Sequence, residues 1–303
     1  MQLFDFQVNG FSGVDFQSES LSLQELKIAV SALHRHQTKA IFLTIITDSV
    51  DAMCRKLENA EALRAKDTSI ATTVCGYHLE GPWISTESGY NGAHPLEHAR
   101  NPSLADYRRL RDAAGGNLKL ITLAPELPDS ELVMEAASAD GVRIGLGHTN
   151  ASEKDIDKAI LCGATLATHL GNAVPQIMDR HDNVVQRLLS RDELIACLIP
   201  DGLHLPPFVL KNFFHAKPKN RVFFTTDCMS AAGAPPGTYT IGPHTMEVGT
   251  DGIVRLPGDT RFAGSSLTMD KAIKNIENWL EIENAEIVSL CSDIPAQHFG
   301  INL

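Results

Sequence analysis

The sequence predicts an α/β fold, a (β/α)8 TIM-like barrel. Three observations carry this. Short runs rich in Val, Ile, Leu, Thr and Phe alternate eight times with stretches of helical periodicity. Several runs are apolar almost throughout, as strands buried on both faces are. Polar and ionisable residues collect at the carboxyl ends of the runs, the rim where such barrels build their sites. The 303 residues suit a fold that takes ~250. An open doubly wound sheet would carry Gly-x-Gly-x-x-Gly after its first strand, and none follows residues 3–8.

The elements are expected in this order. Strand 3–8 leads to helix 23–36, strand 40–47 to helix 49–65, and strand 72–80 to helix 104–113. Strand 118–125 precedes helix 130–139, and strand 142–148 precedes helix 153–161, where Ser152-x-x-Asp155 resembles a capping start. Strands 165–169, 195–200 and 222–226 complete the set, with helices 184–189 and 207–214 between them. The pattern then changes. Gly and Pro punctuate alternating runs such as 239–241 and 253–256, which predicts a β-hairpin insertion at about 234–262. Helix 267–280 and a helical stretch to Leu290 follow, and the whole of 1–303 is expected to be one domain.

Charge and composition exclude some functions. With 26 basic and 37 acidic residues the net charge is −11, which disfavours nucleic acid and anionic membrane as partners. No run approaches the ~20 apolar residues of a membrane span, and the start lacks the pattern of a signal peptide. Six widely spaced cysteines without a C-x-x-C pair point to a reducing, cytoplasmic setting.

Glu80, His148 and His169 end the third, fifth and sixth strands. One carboxylate and two imidazoles on a rigid rim form the ligand set of an open metal site that activates water. Asp227 follows Phe-Phe-Thr-Thr and suits a general base, although Asp-Cys-Met-Ser also suits a helix cap or turn. His94 closes the glycine-rich segment 88–94, where it either faces a ligand or is simply solvated. Arg180 is either an anion clamp or an ordinary surface arginine. His78 shares a face with Glu80 one layer deeper and is read as a core histidine or one that supports the ligands from behind, not as a ligand, and Cys228 as packing.

Seven segments then arrive in order: Gly76-Tyr-His-Leu-Glu-Gly-Pro82, Gly92-Ala-His94, Gly147-His-Thr-Asn-Ala151, Thr168-His-Leu-Gly-Asn-Ala173, Asp201-Gly-Leu-His204, Thr226-Asp227 and Ala263-Gly-Ser-Ser-Leu-Thr-Met269. Together they resemble the N-acetylglucosamine-6-phosphate deacetylases of the amidohydrolase superfamily. The resemblance implies hydrolysis of the acetamide of a hexosamine 6-phosphate. It places the metal on Glu80, His148 and His169 and makes Asp227 the acid/base. Ala93 and His94 would meet the acetamido sugar, with His94 polarising the carbonyl. Asn172, Ala173, Arg180 and His204 would bind the sugar phosphate, and Phe262, Ala263 and Gly264 would form a pocket wall. It also implies a homodimer in which a neighbouring subunit supplies some phosphate-binding groups.

The sequence departs from the wider pattern. Gln7-Val8-Asn9 stands where many amidohydrolases carry His-x-His, and Leu123-Ala-Pro-Glu126 where binuclear members carry a lysine. One divalent metal is therefore expected, with zinc first and iron, cobalt or manganese as alternatives. Gly171 replaces a larger residue and is expected to loosen the pocket. Most of the family's small β-sandwich domain is expected to be missing. Other readings are an N-acetylgalactosamine-6-phosphate deacetylase, another N-acyl amide hydrolase, or a non-catalytic sugar-phosphate binder.

Overall fold

A computed structural model describes residues 2–257 and 264–303. The chain opens with β1 (Leu3–Val8), a small hairpin of β2 (Gly10–Phe11) and β3 (Val14–Asp15), then α1 (Leu23–Arg35). A capping box starts that helix: the Ser22 hydroxyl accepts the Glu25 amide, and the Glu25 carboxylate accepts the Ser22 amide. Next come β4 (Thr38–Ile46), α2 (Val50–Arg64), α3 (Thr68–Thr73) and β5 (Val74–Glu80). The barrel continues with α4 (Leu104–Ala113), β6 (Leu118–Leu123), α5 (Ser130–Ala139), β7 (Arg143–Leu146) and α6 (Glu153–Leu161). It is completed by β8 (Ala164–Ala167), α7 (Val184–Leu189), β9 (Ile195–Leu198), α8 (Pro207–Ala216) and β10 (Val222–Phe224).

The eight long-range strands pair in parallel in the order β1-β4-β5-β6-β7-β8-β9-β10. Among the described residues, closure of the ring rests on one bridge, Val8 to Cys228, and on side chains. Asp5 on β1 accepts the Thr225 hydroxyl at 2.6 Å and the Thr226 hydroxyl at 2.5 Å. Its buried carboxylate thus replaces part of the ladder missing between the first and last strands. Burial pushes the Asp5 carboxyl up, and those hydrogen bonds oppose the shift.

Alternation along the strands separates two cores. Leu43, Ile45, Leu79, Ile121 and Leu146 face the helices. Phe4, Phe6, Phe42, Leu120, Leu166, Cys197 and Phe223 fill the barrel's interior. Above this apolar floor lies a polar layer, in which His78 Nε2 meets the Thr122 hydroxyl at 2.8 Å and Thr122 meets Thr168 at 2.9 Å. The site stands on that layer. After β10 an antiparallel sheet of β11 (Gly237–Ile241), β12 (His244–Val248) and β13 (Val254–Arg255) forms the insertion. Its Ile241, Met246 and Val248 pack with Ile46 and Met229 beside the barrel mouth. The last residues of the expected insertion, 258–262, lie outside the described residues.

α9 (Met269–Trp279), α10 (Asn284–Leu290) and α11 (Asp293–Phe299) end the fold. Sequence periodicity does not anticipate α11, which plugs the bottom of the barrel. Its Phe299 ring lies 5.0 Å from Phe42 and 5.5 Å from Phe6. Two further corrections have local causes. Thr72 and Thr73 belong to α3, not to a strand, because Asp67 accepts the Ser69 and Ile70 amides and starts a helical turn. The strands expected to reach His148, His169 and Thr226 stop two residues short, at Leu146, Ala167 and Phe224. The residues beyond turn away from extended geometry.

Candidate active site

His148, His169 and Asp227 all adopt positive φ, at 52°, 32° and 49°. This left-handed region is costly for residues with a Cβ and is concentrated at functional sites. Here it follows the end of each strand and swings the side chain over the barrel mouth. Glu80 reaches the same point from the last position of β5, on the inward face it shares with His78.

The three groups meet. Glu80 Oε1 lies 3.1 Å from His148 Nε2 and 2.9 Å from His169 Nε2, and the two imidazole nitrogens are 3.0 Å apart. One ligand atom from each residue falls within 4.8 Å of the others, and all three residues are buried. The Tyr90 carbonyl oxygen, 3.0 Å from His148 Nδ1, can only accept, so that nitrogen carries the ring proton and Nε2 offers a lone pair. Lone pairs this close repel unless a cation or proton sits among them. Ligands with bonds of about 2.0 Å at tetrahedral angles are spaced roughly 3.3 Å apart, so the donor set and its spacing fit one divalent cation. Burial alone would raise the Glu80 carboxyl; where no cation is bound, protons on the His148 and His169 nitrogens that face it outweigh burial and hold the group well below the usual range.

Two neutral amides complete the floor. Gln7 Nε2 donates to Glu80 Oε1 at 3.0 Å, and Asn9 Nδ2 donates to Asp227 Oδ1 at 2.8 Å. The residues at the His-x-His position therefore orient the two carboxylates. Burial, then the charge of Glu80, pushes the Asp227 carboxyl well above the usual range. A carboxyl so placed can take and return a proton.

The loop after β5 walls one side. His94 Nε2 lies 4.0 Å from Glu80 Oε2, and its ring centroid lies 4.3 Å from that of His148. Burial, then repulsion from His148, pushes its imidazole down to about 3, which keeps the ring neutral. Ala93 packs against the apolar cluster of the insertion. Asn172 Nδ2 donates to the His169 carbonyl at 3.1 Å. A Cβ built on Gly92 would come 3.2 Å from His148 Cε1 and 3.5 Å from the Ala173 side chain, so Ala173 also borders the site.

The remaining expected residues lie farther out. His204 Nδ1 sits 2.6 Å from Asp201 Oδ2, and both line a cavity of about 220 Å3 with Gly264 and Lys271. Arg180 is exposed and makes no hydrogen bond or ion pair among the described residues. Phe262 and Ala263 lie outside the described residues. The looser pocket expected at Gly171 is not found: a Cβ there would meet Leu205 and Phe213 at 3.0 Å, so that space is already filled. Cys228 is packing, with its thiol raised well above the usual range by burial. Among the described residues no helix is long and apolar enough to cross a membrane.

Sequence reasoning missed Thr47 and the Tyr90 carbonyl. The first had a signal, a hydroxyl ending an apolar strand; a main-chain carbonyl leaves none.

A (β/α)8 barrel with a carboxylate, two histidines and a buried aspartate at its rim defines a metal-dependent hydrolase of the amidohydrolase superfamily. No protein-family model matches the chain. It is 31% identical over 307 residues to N-acetylglucosamine-6-phosphate deacetylase of Bos taurus, covering 98% of this chain and 73% of the relative. The Bacillus subtilis enzyme of the same name is 29% identical over 301 residues, covering 99% and 74%. A mutant of the Mycobacterium smegmatis enzyme, solved in complex with N-acetyl-D-glucosamine-6-phosphate, superposes with a TM-score of 0.87 at 28% identity, covering 99% of this chain and 77% of that one. The chain belongs to the N-acetylglucosamine-6-phosphate deacetylase family.

Proposed function

We propose that the protein hydrolyses the acetamide of N-acetylglucosamine 6-phosphate, giving acetate and glucosamine 6-phosphate. The convergence of Glu80, His148 and His169 beside Asp227 and His94 carries the reading. Glu80, His148 and His169 would hold one divalent ion, zinc first, which when bound supplies Lewis-acid activation for amide hydrolysis. Asp227 takes the proton of the attacking water, and Asn9 keeps its carboxylate in place. The same carboxyl then delivers that proton to the departing amine nitrogen. His94 donates from Nε2 to the acyl oxygen as negative charge grows there.

Asn172, Ala173, Arg180 and His204 take the sugar phosphate, and Phe262, Ala263 and Gly264 would form part of the pocket wall. Arg180 suits a bidentate phosphate contact, and its exposure supports a homodimer in which it reaches a neighbouring site. Six cysteines without a disulfide support a cytoplasmic setting.

Acetate release from N-acetylglucosamine 6-phosphate tests the reading. Activity should stop with a chelator and return with a divalent metal. Asp227→Asn should lower kcat by about 100- to 10,000-fold with metal content unchanged. Full activity after chelation or in Asp227→Asn would overturn the assignment.

A further inference from the structure

Thr47 stands one residue beyond β4 and is 1% exposed. Its amide, at 3.4 Å, and its hydroxyl, at 2.8 Å, both meet Nδ1 of His94. A main-chain amide only donates, so Nδ1 is held as an acceptor. The proton of the neutral ring must then sit on Nε2, the atom that faces Glu80 Oε2 across 4.0 Å. The opposite tautomer would set two donors against each other at Thr47 and turn a lone pair toward a carboxylate. The Thr47 hydroxyl also lies 3.3 Å from the Glu80 carbonyl oxygen, so one side chain touches both His94 and the main chain of a candidate metal ligand.

The next residue anchors the same loop further on. Asp48 lies 3.4 Å from His98 Nε2 and 2.7 Å from the buried Lys56 ammonium. Residues 47 and 48 thus hold the wall segment at His94 and again four residues later.

We infer that Thr47 is a positioning residue, fixing His94 as the Nε2–H tautomer and aiming that proton at the acyl oxygen of the substrate. The inference rests on the deacetylase reading for its consequence, but the tautomer can be read without it. Nitrogen NMR of the zinc-loaded, 15N-histidine-labelled full chain should show His94 protonated at Nε2 and bare at Nδ1. Thr47→Val removes the 2.8 Å hydroxyl contact and leaves only the longer 3.4 Å amide, too weak to hold one tautomer, so that pattern should become mixed, and Thr47→Ser should restore it.

In kinetics, Thr47→Val should lower kcat by about 10- to 100-fold while KM moves no more than about twofold. One equivalent of metal should be retained, and Thr47→Val should add nothing in a His94→Gln background. A proton on Nδ1 in the parent, an unchanged pattern in Thr47→Val, full additivity with His94→Gln, or a rate loss that follows metal loss would each overturn the inference. A parent that releases no acetate would remove the functional reading, while the nitrogen pattern would still decide the role of Thr47.

Discussion

The hydroxyl of Thr47 stands where a side chain on residue 81 would have to be. A Cβ built on Gly81 would collide with it, and Gly81 is also at φ +86°. The strand carrying Glu80 can approach the end of β4 only because residue 81 has no side chain. Gly81→Ala should therefore destabilise the protein by roughly 2–4 kcal/mol, through backbone strain and overpacking together. Urea denaturation measures this, and the loss should shrink in a Thr47→Ala background, where the colliding oxygen is gone. Equal losses in both backgrounds would assign the cost to backbone strain alone.

Asp15 predicts a pH effect. It accepts the Gln17 amide at 2.9 Å and, across to the insertion, the Gly242 amide at 3.0 Å. Burial raises its carboxyl from 3.8 to about 6, against these hydrogen bonds. The folded state therefore binds this proton more tightly than the unfolded chain. The group's contribution to stability is fully present below 3.8 and is lost as pH rises to about 6. The stability of the parent relative to Asp15→Asn should fall across that interval and level off above it. A flat difference would show that the carboxyl titrates normally.

Metal binding should be visible as stability. Because Glu80, His148 and His169 converge only in the fold, the ion binds the native state. At a free concentration 100 times Kd it adds about 2.7 kcal/mol, read as a higher Tm. His169→Ala should lose that increment. The occupation of Gln7 and Asn9 by Glu80 and Asp227 predicts one equivalent of metal per chain by elemental analysis; two would contradict it.

Arg180→Ala should raise KM for the phosphorylated sugar by about 10- to 100-fold, the worth of a charge-assisted contact. The unphosphorylated sugar should respond little. As an exposed residue without bonds among the described residues, Arg180 should leave Tm unchanged. Equal KM effects on both sugars would exclude a phosphate clamp.

The barrel was legible because its strands are buried on both faces and its chemistry is polar residues at strand ends. Helices 104–113, 130–139, 153–161 and 184–189 fall where periodicity places them, and Ser152 and Asp155 form the anticipated capping box. Asp67 was the hidden competitor that turned two β-branched threonines into helix. α11 was invisible because its value lies in Phe299 meeting Phe42, a contact between chain positions far apart. Glu80, His148 and His169 could be chosen by residue type and position. The partners of Gln7, Asn9 and Thr47 could not be read, since an amide or hydroxyl at a strand end declares its role only through the group it meets.

The φ angles of His148, His169 and Asp227 set a limit on engineering. In the absence of metal, a laboratory selection for heat resistance alone would favour glycine or asparagine at all three, because each relieves a local penalty. The hardier variants so obtained would lack the metal ligands and the acid/base group on which the proposed hydrolysis depends. Durability without loss of turnover has to be sought among the outer helices and surface loops, with those three rim positions held constant.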